Sequence, residues 1–403
     1  MTAVSKLFEN RIIRAAVIIL LAALAAISVY QGSRNALEFS QDFQWDAAKA
    51  LCMRLDPYEL SHDTRKALEY PELKEFYRMF TDKGLNQKME ANQFPSLLLL
   101  LAPMTVFRPA AAKTLWLLLN LMFTAGIIFL LRRTFLTDMS LYGFACTMLL
   151  MLSGTPYRNQ LGVGQHTLFA FFFFLLAVYI EKRNTRRHSF AVALPTALCL
   201  FVSYFKYTLT APLALYFVYK KRYKELVISV AGHVVATEAC ALWLGKSFVY
   251  MLTAPLGVAS ALASEGGIDL GVIVGGIPAY VIAFVIAADL TVMAFLMPWR
   301  KDYIMFPLLI MWSLVLTYHR TYDFFVLSVV PMLFCDTFTS DHGKRCGKIM
   351  TVWYALLIAS VYYVLRLFGE NTASLIVTGI IYYSFTVAVT WLGIKIIKDK
   401  NNE

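Results

Sequence analysis

Charge is what this sequence has least of. Of its 403 residues only 16% are Asp, Glu, Lys or Arg, while 59% are hydrophobic and 15% aromatic; soluble domains carry about 25% charged residues. A soluble globule and a disordered chain are both excluded, because so much apolar surface must face lipid or other helices. Cysteine is sparse as well. Cys146, Cys199, Cys240 and Cys335 fall in apolar runs, Cys346 lies between runs and only Cys52 sits in a polar stretch, so no extracellular disulfide framework can form. None has metal-ligand spacing. Internal repeats, heptad arrays, phosphate-cradling glycine loops and low-complexity tracts are also missing, and residues 1–403 read as one integral membrane domain.

What the sequence does hold is a succession of long apolar runs. Crossing ~30 Å of hydrocarbon takes about 20 residues of helix. About a dozen stretches qualify, near 12–30, 111–131, 135–152, 162–180, 190–205, 208–219, 226–244, 271–297, 303–318, 322–338, 350–368 and 373–394. The stretch 208–219 is too short to span unaided and must be broken or borrow from its flanks. The run Phe94 to Phe107 carries Pro95 and Pro103 and is also short, which makes it re-entrant or interfacial. Residues 31–110 then form one large first loop, in which Leu73, Phe76, Tyr77 and Phe80 repeat at helical spacing, as in a helix lying in the interface. A helix over Asp42 to Arg54 is expected too, and 245–267 reads as a second outer segment.

Basic residues test this topology, because loops on the cytoplasmic side collect Lys and Arg. Alternating from a cytoplasmic N-terminus flanked by Lys6, Arg11 and Arg14, the inner side receives Arg132, Arg133, Lys182, Arg183, Arg186, Arg187, Lys220, Lys221, Arg222 and Lys224. It also receives Arg300, Lys301, Lys344, Arg345, Lys348, Lys395, Lys398 and Lys400, which makes 21 of the 37. The segment from Arg34 to Lys113 holds eleven basic residues and eleven carboxylates. The net charge of +11 is therefore explained by orientation, and no nucleic-acid partner is required. Both termini are expected in the cytoplasm.

Polar residues kept at membrane depth mark candidate sites, and here they collect on the outer side. Asp42 and Asp46 stand four apart, a spacing that predicts two carboxylates on one helix face. Alone, the pair reads equally simply as the solvated face of an interfacial helix. TPYRNQLGVGQH brings Arg158, Asn159, Gln160, Gln165 and His166 in what reads as a turn between spans. Lys206 is the lone charge in LFVSYFKYTLTAPLAL, where a snorkelling interface anchor is the plain alternative. His319, Arg320 and Asp323 cluster in TYHRTYDFF, where a satisfied ion pair would also account for them. Four segments converging on one face suit group transfer from a phosphate-bearing lipid. Such a donor already has a good leaving group, so one general base and cations for the phosphate suffice. Asp42 is the expected base, with Asp46 supporting; Arg158, Lys206, His319 and Arg320 are the expected cations. No cofactor or metal is called for.

At these residues the sequence resembles the polyprenyl-phosphate-sugar-dependent glycosyltransferases of family 87. These are bacterial membrane enzymes of the GT-C superfamily that include α-1,2-mannosyltransferases. The resemblance is carried by Asp42-Phe43 followed by Asp56-Pro57-Tyr58, by Gly164-Gln165, by Lys206 ahead of Pro212, and by His319 with Tyr322-Asp323. It implies that Asp42 is the base and that Lys206 and His319 contact the donor phosphate. It adds Tyr58, Asn159, Gln165, His166 and Asp323 as substrate-binding candidates. The implied fold is an all-α, GT-C-like bundle of about twelve transmembrane helices with interfacial helices in the first outer loop. The implied activity is inverting transfer of a hexose or pentose, mannose foremost, from a polyprenyl phosphate donor to a lipid or glycan acceptor at the outer face of a bacterial inner membrane. A lipid or glycan transporter or flippase, and a polysaccharide ligase or polymerase, are the competing readings.

Overall fold

A computed structural model of the chain describes residues 10–183, 190–262, 267–336, 341–368 and 371–401. The expected inner-side residues Lys6, Arg186 and Arg187 lie outside the described residues, as do the side chains of Cys335, Lys344, Arg345, Cys346 and Lys400. Every regular element among the described residues is helical.

Among the described residues six helices are long and apolar enough to cross a membrane: Arg11–Glu38, Pro109–Thr134, Tyr223–Leu244, Gly276–Leu296, Gly347–Val364 and Thr372–Asp399. A bent pair, Thr155–Val163 and Thr167–Arg183, raises the number to seven if counted as one span. This is a multi-pass membrane protein with fewer full-length spans than the twelve expected. The difference lies in breaks that hydropathy does not register. The expected span 208–219 is divided into Tyr207–Leu213 and Leu215–Tyr219, and 322–338 is a 3-10 helix, Thr321–Met332, with Pro331 inside it. Leu141–Ser153 and Asp302–Leu316 are apolar but shorter than a bilayer is thick.

The long loop after the first helix, expected to face outward, folds on itself. Proline at the first helical position starts Pro57–His62, Pro71–Thr81 and Pro95–Leu101, where its missing N–H costs nothing and its φ is already helical. Asp56 caps the first of these by accepting from the Tyr58 and Glu59 amides. The Phe94–Phe107 run becomes Pro95–Leu101 and a 3-10 turn, Ala102–Val106, which at ~1.5 Å per helical residue does not reach across. The stripe Leu73, Phe76, Tyr77 and Phe80 is buried, but against protein and not lipid. It joins a core with Phe43, Trp45, Trp116 and Phe205, in which Trp45 stacks on Phe76 at 5.5 Å. The segment 248–262 is a helix tied to this loop, since Lys246 pairs with Asp56 at 3.5 Å and with Glu59.

At the far end of the bundle the basic residues meet their counter-charges. Asp302 lies 3.1 Å from Lys182 and 2.5 Å from Lys220, and Arg222 bonds Glu181 at 2.9 Å. Three chain segments are thereby clamped.

Candidate active site

The site is built where the first helix stops. Its last turn gives way at Phe39, Ser40 turns back with φ 40° and donates its hydroxyl to Ala36 O at 2.5 Å, and the Asp42 amide bonds Val163 O at 3.0 Å. Gln44 adopts φ 60° just before helix Trp45–Cys52. In this non-helical stretch alternate side chains part company. Phe43 is buried and stacks on Trp116 at 5.1 Å, while Asp42 and Gln44 both line a cavity of ≈ 280 Å³.

Asp42 and Asp46 therefore do not share a helix face, contrary to the spacing argument, because the helix begins three residues after Asp42. Asp46 sits in the first turn, away from the cavity, and accepts the Tyr77 hydroxyl at 2.6 Å. Burial, only partly offset by that bond, pushes its carboxyl up to about 6. Asp42 is raised too, by burial, against the opposing pull of Lys206, Arg320 and the Tyr322 hydroxyl.

TPYRNQLGVGQH is likewise not a turn. Residues Thr155–Val163 are helical and Gly164 ends them with φ 71°, where an added Cβ would meet Ser40 at 3.1 Å. Glycine is needed on both counts. The chain then bends by 107° into Thr167–Arg183, with Gln165 buried at the corner. Its amide donates to the Tyr322 oxygen at 3.0 Å, and its carbonyl accepts the His166 amide at 2.7 Å. His166 lines the same cavity and places Nε2 3.0 Å from Phe43 O. Helical spacing turns Arg158 and Asn159 to the other side, where Arg158 bonds Gln31 at 3.2 Å and Asn159 at 3.4 Å. Neither lines the cavity.

Lys206 ends a 3-10 turn and lines a smaller space of ≈ 70 Å³ that shares Asn92, Gln93, Gln165, Tyr318 and Tyr322 with the first. Its ammonium is 3.4 Å from Asp323, whose carboxylate also takes His319 Nδ1 at 2.6 Å and the Thr167 hydroxyl. Asp323 is fully buried and serves as counter-charge, so it cannot itself face a substrate. His319 lies behind the wall with Nε2 buried and unpartnered, whereas Arg320 lines the cavity and bonds the Tyr318 hydroxyl at 2.7 Å. Tyr58 is buried 35 positions away along the chain, donating to Gln93 O at 2.8 Å, and so holds the cavity wall from outside. Among the described residues no three His, Cys, Asp or Glu side chains gather as metal ligands.

Sequence reasoning passed over the amide wall. Gln44, Asn86, Gln87, Glu90, Asn92 and Gln93 all face the larger cavity. Their signal was the run NQKMEANQ directly before an apolar helix, five cavity-lining polar side chains in eight residues. An apolar groove of ≈ 520 Å³ begins at Tyr207, which also lines the small cavity, and continues past Ala211 and Leu215 to Leu226 and Val230.

The arrangement joins a half-buried carboxylate, two cations and an adjoining apolar groove. No curated protein and no solved structure matches the chain. The model of glycosyltransferase family 87 matches residues 95–321, a stretch with Gln165, Lys206, His319 and Arg320 in it. That match covers more than half of the 403 residues: the chain belongs to glycosyltransferase family 87.

Proposed function

We propose that this glycosyltransferase moves a sugar from a polyprenyl phosphate donor to an acceptor hydroxyl by single displacement, at the outer face of a bacterial inner membrane. The observation that carries the reading is Asp42, half-buried in the wall of the larger cavity with Arg320 and Tyr322, while Lys206 lines the smaller cavity adjoining it. The acceptor oxygen attacks the anomeric carbon as the bond to the phosphate oxygen breaks, which inverts that carbon. Asp42 takes the hydroxyl proton, and the departing phosphate monoester takes up charge that Lys206 and Arg320 stabilise. Arginine and lysine suit this anion, the first as a fork and the second as a point charge. Thr208, whose hydroxyl is unpartnered beside Lys206, supplies a further donor. The apolar groove starting at Tyr207 supports a hydrocarbon carrier such as a polyprenyl chain.

Mass spectrometry of lipid-linked glycans tests the function. A deletion strain should accumulate a glycan one sugar shorter, restored by the wild-type gene and not by the Asp42→Asn form. An unchanged glycan profile would refute the reading.

Orientation follows from the positive-inside rule and is tested separately. Cys52 ends a helix of the first outer loop and is exposed. A membrane-impermeant maleimide should label it in intact cells. Labelling only after lysis would reverse the topology.

A further inference from the structure

We propose that Gln44 reads a second hydroxyl of the substrate whose first hydroxyl Asp42 deprotonates. The inference rests on the assignment of Asp42 as base and extends it to the selection of the acceptor. Two residues apart in a non-helical stretch, Asp42 and Gln44 look into the same cavity, because Phe43 between them is held in the core by Trp116.

The side chain of Gln44 is then settled by its contacts. It is 7% exposed, and its Nε2 lies 2.6 Å from Glu90 O. A backbone carbonyl only accepts, so the amide has one allowed orientation. That orientation leaves Oε1 buried with no donor. A buried amide oxygen without a donor is a liability unless a ligand supplies one. Gln44 also keeps a left-handed backbone, φ 60°, which few residues without glycine's freedom adopt, and its side chain does not cap the helix that follows. The bond to Glu90 accounts for the amide nitrogen of Gln44, and neither the helix that follows nor the core accounts for its oxygen.

What would complete the site is an O–H group beside the reacting hydroxyl. The lining suits a polyol: Gln41, Asn86 and Gln87 continue the same wall as uncharged amides, which hydrogen-bond hydroxyls in both directions, and Glu90 and Arg320, of opposite charge, complete it. An acceptor presenting two neighbouring hydroxyls, as a saccharide does, satisfies Asp42 and Gln44 together. A simple alcohol satisfies Asp42 alone.

The test is direct binding without any donor, so that its outcome is independent of whether transfer from polyprenyl phosphate occurs. Purified protein in nanodiscs is titrated with octyl glycosides of mannose, glucose and galactose, with 1-octanol as the single-hydroxyl probe and undecaprenyl phosphate as a probe of the phosphate end. Wild type should bind at least one glycoside more tightly than 1-octanol. Gln44→Leu should weaken that glycoside by about tenfold, the size of one lost hydrogen bond, and leave undecaprenyl phosphate unchanged. If Gln44→Leu misfolds, Gln44→Lys keeps a donor for Glu90 O while removing the acceptor, and the same loss is expected. Equal glycoside affinity in wild type and variant, octanol binding as tight as every glycoside, or no glycoside binding at all would overturn the proposal.

Discussion

Asp42→Asn is expected to lower transfer by about 10²–10⁴-fold, the usual worth of a general base, without loss of donor binding or melting temperature. The fold does not need the charge. Burial raises the Asp42 carboxyl above its ordinary 3.8, so ionisation weakens the folded state, and a neutral amide relieves that penalty. The same shift puts the acid limb of kcat/KM above 3.8, since transfer needs the ionised form. Asp46→Asn is the matched control. Its carboxyl sits at about 6, so stability is highest below 3.8 and falls as pH rises through 6. At pH 8 the amide should raise stability, by up to about 3 kcal/mol at about 1.4 kcal/mol per pH unit, and with it the melting temperature, because Asn still accepts the Tyr77 hydroxyl and carries no buried charge. Turnover should fall far less than for Asp42→Asn. Equal and mild kinetic effects of the two substitutions would remove Asp42 as the base.

Lys206→Met should cost about 10²–10³-fold in turnover, as expected for loss of one donor to a developing oxyanion. Lys206→Arg should retain part of it. Two consequences separate chemistry from packing. Lys206 is the strongest of the cations holding down the Asp42 carboxyl, so the methionine variant moves the acid limb of kcat/KM to higher pH. Lys206 is also a counter-charge of buried Asp323, so the variant melts early. Adding Asp323→Asn to Lys206→Met removes the uncompensated carboxylate and should recover the melting temperature but not transfer. Recovery of both would make Lys206 a structural partner only.

Much of the candidate site could be read from residue type and place. Asp42, Gln165, Lys206 and Arg320 stood out as polar groups at the ends of apolar runs, and the structure puts them around two adjoining cavities. Arg158 stood out for the same reason and lies elsewhere, because its helix turns it toward Gln31. Spacing could not distinguish these cases: a helical residue's direction depends on which neighbour packs against the helix, and Gly32, whose added Cβ would meet Arg158 O at 2.9 Å, sets that neighbour 126 positions away. The amide wall was missed because Asn and Gln are common in loops, and only the fold turns five of them inward beside Glu90.

Sequence by itself determined the solvent class, the places where helices meet lipid and the gathering of basic residues at one end, because the cost of putting each residue in hydrocarbon adds up locally along the chain. It also determined that the polar exceptions belong to the other end. Tertiary structure alone decided that Asp42 leaves its helix, that Asp323 turns inward to hold Lys206 and His319, and that expected spans break at 214 and bend at 164–166. Those outcomes depend on left-handed residues, close glycine contacts and buried counter-charges, each set by a partner distant in sequence, and no local sum contains them.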